Sequence, residues 1–339
     1  MRSDLAFALR GVGTAVSGTF ALRDVSFELP TGYVMGLIGA NGAGKTTTIR
    51  CLLGMRPIDT GEIELLGHRL PGPVDLRQDV GVVFDHAHLV GDWRLVQVER
   101  TLRPFYERWD GVRYRQLLDE FGLDLRAKVK DLSRGMSMKL MIAVALSHHA
   151  RLLVFDEPTS GLDPVARDEL VGIIGDFLLD EGRSVLFSTH ITADLDRIGD
   201  YVTLIHDGRI VRTGTKDELL DAYRVVRGGP DDLSGAVGVQ LIGVRRTSTG
   251  AQALVRTEEA DLLGGNVLIE APTLEEIAVH VGARVPRRSP DPGAESHRDA
   301  DPHPAAEPHH GAGPDHGAGP DHGASRHEPD SSMSTKGIA

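Results

Sequence analysis

The chain has 339 residues, 40% hydrophobic and 25% charged, enough for one large packed domain with additions. Its formal charge of −12 argues against nonspecific binding to nucleic acid or anionic lipid, and a single cysteine, Cys51, excludes an internal disulfide and suits a reducing compartment. There is no signal-type apolar run at the N-terminus and no stretch approaching the roughly 20 apolar residues that span a bilayer, so any membrane role is expected to come through another chain.

In chain order, Phe7-Ala8-Leu9 and the period-two segment Ala21 to Leu29 read as strands, the second antiparallel with one wet face. Pro30-Thr31-Gly32 turns the chain into Val34 to Ile38, a short buried strand. That strand enters Gly39-Ala40-Asn41-Gly42-Ala43-Gly44-Lys45-Thr46, which satisfies the phosphate-loop pattern G-x-x-x-x-G-K-[ST] at every fixed position, and Thr46 to Leu53 reads as a helix leaving it. Glycines let successive N–H groups turn inward around phosphates at a helix N-terminus. Lys45 then reaches the β and γ phosphates, Thr46 offers a hydroxyl to Mg²⁺, and Thr47 is placed for the α phosphate. Cys51, just inside this helix, reads as a small core residue.

Glu62 to Leu66 and Val80 to Phe84 are further strands, the latter ending at Asp85-His86. From Asp92 to Leu146 the periodicity is helical, with Leu95, Val98, Leu102 and Phe105 at three- and four-residue spacings. Leu152 to Phe155 is a central buried strand that emerges at Asp156-Glu157, where parallel sheets place ligands. Asp156 suits Mg²⁺, through a water, and Glu157 suits activation of the water that attacks a γ phosphate.

With the phosphate loop and the Asp156-Glu157 strand come Leu132-Ser133-Arg134-Gly135-Met136, Ser160-Gly161-Leu162-Asp163 and Ser188-Thr189-His190. In that order these motifs resemble the nucleotide-binding subunit of ABC transporters, over roughly residues 5 to 230, and Gly135-Met136 with Trp109-Asp110 resembles the branch serving ABC-2-type exporters. The resemblance implies an α/β fold: a P-loop NTPase core with an antiparallel β subdomain and a helical insertion. It also implies a head-to-tail dimer, of identical or different chains, closing on two ATP molecules. Ser133 and Gly135 of one subunit then face the ATP held by the other, Asp163 crosses the interface, and His190 contacts the γ phosphate and the attacking water. Ser133 suits this as the N-cap of a helix running to Leu146, whose positive end faces the phosphate. The implied partner is an integral-membrane permease, that of an exporter, which would place the chain on the cytoplasmic face of the membrane; no nucleic-acid partner is expected.

Three departures stand out. Arg134 occupies a signature position where the family commonly has Gly. Asp85 stands where Gln or Glu is usual, as a metal-shell residue or a turn acid. No aromatic lies at Val16 or Ser17 to stack on adenine, which leaves Phe20 as the nearest candidate or as core.

Two alternatives are weaker. A soluble ABC ATPase acting on nucleic acid or the ribosome usually carries two cassettes or a coiled-coil insertion, and a metal-delivery GTPase requires an Asn-Lys-x-Asp motif that is absent. Residues 235–283 read as a small α+β extension with strands at 239–244, 253–255 and 265–269. Its helix begins at Thr273, with Glu276 at the capping-box offset. From residue 284 a tail rich in Pro, Gly, Asp and His lacks the apolar residues of a core, so disorder is expected there. It holds seven of the 15 histidines, which reads as a solvated tail in preference to a metal site.

Overall fold

The structure is a computed structural model that describes residues 5–15, 21–84, 89–230, 232–233, 238–264 and 267–283. All of them belong to one compact unit, Met1–Arg287. Asp85, Phe20, Val16, Ser17 and the tail from 284 lie outside the described residues.

Strands β1 (Leu5–Ala15) and β2 (Ala21–Pro30) are antiparallel, with Leu9 opposite Phe27 and Val12 opposite Val25. Strand β3 (Val34–Ile38) leads to helix α1 (Lys45–Leu52), and β4 (Thr60–Leu65) and β5 (His68–Arg69) complete an antiparallel sheet of order β2-β1-β4-β5. After β6 (Val80–Val83) come three helices, α2 (Leu95–Leu102), α3 (Gly111–Glu120) and α4 (Arg134–Leu146). Strand β7 (Leu152–Asp156), α5 (Pro164–Leu178), β8 (Ser184–Thr189), α6 (Ala193–Ile198), β9 (Tyr201–His206) and β10 (Arg209–Thr215) follow. The main sheet has the order β10-β9-β3-β8-β7-β6.

Every residue of β3, β7 and β8 is buried, which is why each reads as a continuous apolar run: helices and the antiparallel sheet cover both faces. Phe155 and Phe187 sit side by side in this core with centroids 6.0 Å apart, and both are fully buried. Phe187→Ala is expected to lower the unfolding free energy by about 3–5 kcal/mol, read from urea denaturation, because the surrounding strands cannot collapse into the void. Burial also pushes the Cys51 thiol up to about 11, so it stays protonated and acts as core.

The helical insertion has its own apolar cluster around Leu95, Val98, Tyr114 and Leu117. A polar junction ties it to the residues preceding β6: the Gln78 side chain donates to the Phe105 carbonyl (2.9 Å) and accepts from the Glu107 amide (3.0 Å). Beside it, buried His148 stacks on Tyr106 at 4.2 Å and donates through Nδ1 to the Gln78 carbonyl at 3.0 Å. Burial holds the His148 pKa below its ordinary 6.5. The unfolded chain therefore takes up this proton first, and stability falls as pH drops through the ordinary value. The melting temperature should fall between about pH 7.5 and about pH 5.5, and less steeply in His148→Phe.

The C-terminal part departs from the expected boundaries. After α7 (Lys216–Asp221), β11 (Tyr223–Gly228) is an inner strand of a second sheet. With β12 (Ile242–Arg246), β13 (Ala251–Arg256) and β14 (Leu268–Glu270), it gives the order β12-β13-β11-β14. This sheet thus takes a strand from before residue 230, within the segment expected to belong to the nucleotide-binding domain. Helix α8 (Leu274–Ala283) packs on it and carries the expected capping box: the Glu276 amide donates to Thr273 Oγ1 (3.2 Å) and Glu276 Oε2 accepts from the Thr273 amide (2.9 Å).

Candidate active site

The chain leaves β3 at Ile38 and starts α1 at Lys45, so the intervening residues must reverse direction within one turn. Gly42 and Gly44 do this at φ of 82° and 114°, where side chains are strained. No side chain caps α1, and its first N–H groups with the helix dipole make a seat for an anion. Asn41, Gly42, Gly44, Lys45, Thr46, Thr47 and Glu157 line one cleft of about 410 Å³.

Within the cleft Lys45 is only 5% exposed. Its Nζ donates to the carbonyls of Gly39 (2.6 Å) and Ala40 (3.2 Å) and pairs with Glu157 Oε1 at 2.8 Å. Two carbonyls accept from the ammonium and one carboxylate balances its charge, so it is held inside the loop by groups that phosphate oxygens can replace. The other oxygen of Glu157, Oε2, lies 2.6 Å from His190 Nδ1.

Glu157 is set in place by its backbone. It has a φ of 54°, a sparsely populated conformation for a side-chain-bearing residue, and its amide donates to both the carbonyl and the Oγ of Ser188, each at 3.1 Å. Ser188 Oγ in turn donates to Asp156 Oδ1 at 2.7 Å. One fully buried hydroxyl at the end of β8 thus orients both carboxylate residues at the end of β7. Ser188 was expected only as part of the switch segment. The signal for its role is a buried hydroxyl directly after the apolar run Val185-Leu186-Phe187.

Thr46 and Asp156 offer the hard oxygen donors expected for Mg²⁺. Among the described residues no cluster of three or more His, Cys, Asp or Glu could hold a metal by itself. A metal here would take the rest of its shell from nucleotide and water, the usual arrangement for Mg²⁺.

Three further candidates lie apart from this cleft. Ser133 caps α4, its Oγ accepting from the Met136 amide at 3.2 Å, and Gly135 packs against Leu162. Asp163 caps α5, its Oδ1 accepting from the amides of Val165 and Ala166 at 2.9 and 3.0 Å. Arg134 lies over Gly161, where a Cβ would meet its Nη1 at 2.8 Å, so the signature segment and the loop before α5 touch within one chain.

Residues 22–160 match the ABC transporter family. The chain is 34% identical over 251 residues to the Nod factor export ATP-binding protein I of Rhizobium leguminosarum bv. viciae, covering 68% of this chain and 78% of that protein. The chain belongs to the ABC transporter ATP-binding proteins. A further relative of this ABC protein is the daunorubicin/doxorubicin resistance ATP-binding protein DrrA of Streptomyces peucetius, 35% identical over 218 residues, covering 62% of this chain and 65% of that one. Among solved structures, an ATP-binding subunit of an ABC transporter is 30% identical with a TM-score of 0.58, covering 63% of this chain and 91% of that one. No helix among the described residues of this ABC protein is long and apolar enough to cross a membrane.

Proposed function

We propose that this ABC protein binds ATP with Mg²⁺, hydrolyses it as a head-to-tail dimer, and drives a separately encoded membrane permease that exports its substrate. The observation that carries the reading is Glu157 joined to both Lys45 and His190 beside Asp156, on the lip of the phosphate-loop cleft. In this reading Lys45 exchanges the Gly39 and Ala40 carbonyls for the β and γ phosphates, and Gly39 to Gly44 wrap them with backbone amides. Thr47 hydrogen-bonds the α phosphate. Thr46 and Asp156 would hold Mg²⁺, and the ion would supply positive charge to offset that of the phosphates. Glu157, freed from Lys45, orients and deprotonates the attacking water, while His190 holds Glu157 in place and meets the γ phosphate. Ser133 and Gly135 face the partner's γ phosphate from the end of α4, Asp163 crosses to organise the opposite site, and Asp85 would contribute to the metal shell directly or through water.

Export is supported by the names of the relatives, an export ATP-binding protein and a drug-resistance ATP-binding protein. A permease partner would hold the chain on the inner face of the membrane. The test is purification from native membranes in mild detergent, with ATPase assay and mass spectrometry of what co-purifies. A stoichiometric integral-membrane protein is expected. Recovery only with nucleic acid or ribosomes would overturn the permease assignment.

A further inference from the structure

A second cavity, of about 640 Å³, lies between the C-terminal helix and the nucleotide site. Gly39, Ala40 and His190 line it, and these are the residues that hold Lys45 and Glu157. The facing wall is a single stripe of α8, Glu275, Ala278, Val279 and Gly282, at helical spacing, with Arg245 of β12 beside it.

Helix α8 is firmly seated, so this space is not the gap beside a loose element. His280 is 1% exposed and lies with Nδ1 2.7 Å from the Gly243 carbonyl, while Leu274, Ile277 and Val281 are buried in the main core. The volume falls in the range of small-molecule sites, which are mostly apolar with a few convergent polar groups. Here Ile38, Leu204 and Ile205 supply buried apolar surface. The polar lining is weighted toward bases, with Arg245, His206 and His190 against the single acid Glu275. Exposed Arg245 forms no ion pair among the described residues, and Glu270 and Glu276 both pair with Arg227 of the same sheet.

We propose that this cavity binds a small amphipathic organic anion, its apolar body against α8 and its charge toward Arg245 and the imidazoles, and that occupancy changes ATP turnover. A ligand here would touch the backbone that positions Lys45 and the histidine that positions Glu157. The regulatory half rests on the hydrolytic reading of that site; the binding half does not.

The test uses the full chain and two dyes, anionic 8-anilinonaphthalene-1-sulfonate and cationic thioflavin T. Saturable one-site binding of the anionic dye is expected, undisturbed by a saturating non-hydrolysable ATP analogue. Ala278→Trp should fill the space and abolish binding, and Arg245→Glu, at an exposed position, should weaken it about tenfold. Basal turnover should be unchanged in Arg245→Glu, and the dye should alter turnover in the parent chain but not in Ala278→Trp, whose own side chain occupies the space. Competition with the ATP analogue, preference for the cationic dye, or unchanged binding in both variants would overturn the site. Binding as mapped with no effect on turnover would overturn the regulatory half. Dye binding as mapped in a chain without ATPase activity would refute the hydrolytic reading and leave the site standing.

Discussion

Glu157→Gln should lower ATP turnover by about 10²–10⁴-fold, the range expected for loss of a positioned general base, while ATP binds at least as tightly as before. The direction of the binding effect comes from the ligand-free geometry. Glu157 Oε1 pairs with Lys45 at 2.8 Å, so the carboxylate competes with phosphate for the ammonium that the nucleotide needs. A neutral amide competes less. The backbone of Glu157 is held by Ser188, independently of the side chain, so the substitution should leave the loop where it is. The measurement is a paired one: turnover under saturating ATP, and affinity by titration with a fluorescent ATP analogue. Turnover within a few-fold of the parent would remove Glu157 from the base role, and weaker binding would show that the pair with Lys45 supports the loop instead of competing for it.

The difference between what was legible in the sequence and what was not is a matter of range. The phosphate loop, Asp156 with Glu157, the cap at Ser133 and the capping box at Thr273 are all written in a few consecutive residues, because each depends on local backbone geometry and its nearest amides. Ser188 is different. Its role depends on β8 lying in register beside β7, with Asp156 opposite Ser188, a pairing across 32 residues that no local pattern specifies. Strand β11 has the same character: Val225 pairs with Leu254 and Glu270, and an apolar run cannot say which distant strands it will join. The β9–β10 hairpin lay outside the expected elements although Asp207-Gly208 between apolar runs is a strong hairpin signal, with φ of 45° and 70° at the two residues.

Ser133→Arg should abolish most hydrolysis, by roughly 10²–10³-fold as for loss of a preorganised phosphate-facing donor, with ATP affinity nearly unchanged. Ser133 lines none of the Lys45 cleft in its own chain and its Oγ is occupied in capping α4, so a substitution there has no direct route to its own nucleotide. Ser133→Ala separates the two effects, since losing the cap alone costs about 1 kcal/mol of stability without adding bulk. If ATP binding by the isolated chain is lost in Ser133→Arg, the assignment of Ser133 to a partner's site is wrong. A mixing experiment sharpens the test when both subunits are copies of this chain. Each site would draw Glu157 from one copy and Ser133 from the other, so a mixed dimer of Ser133→Arg with Glu157→Gln has one site with both residues intact and one with neither. Random mixing of two inactive variants should therefore restore about a quarter of parental turnover if the two sites act independently in a symmetric dimer. Sites built within single chains would give no recovery, because every copy would carry a defect in its own site.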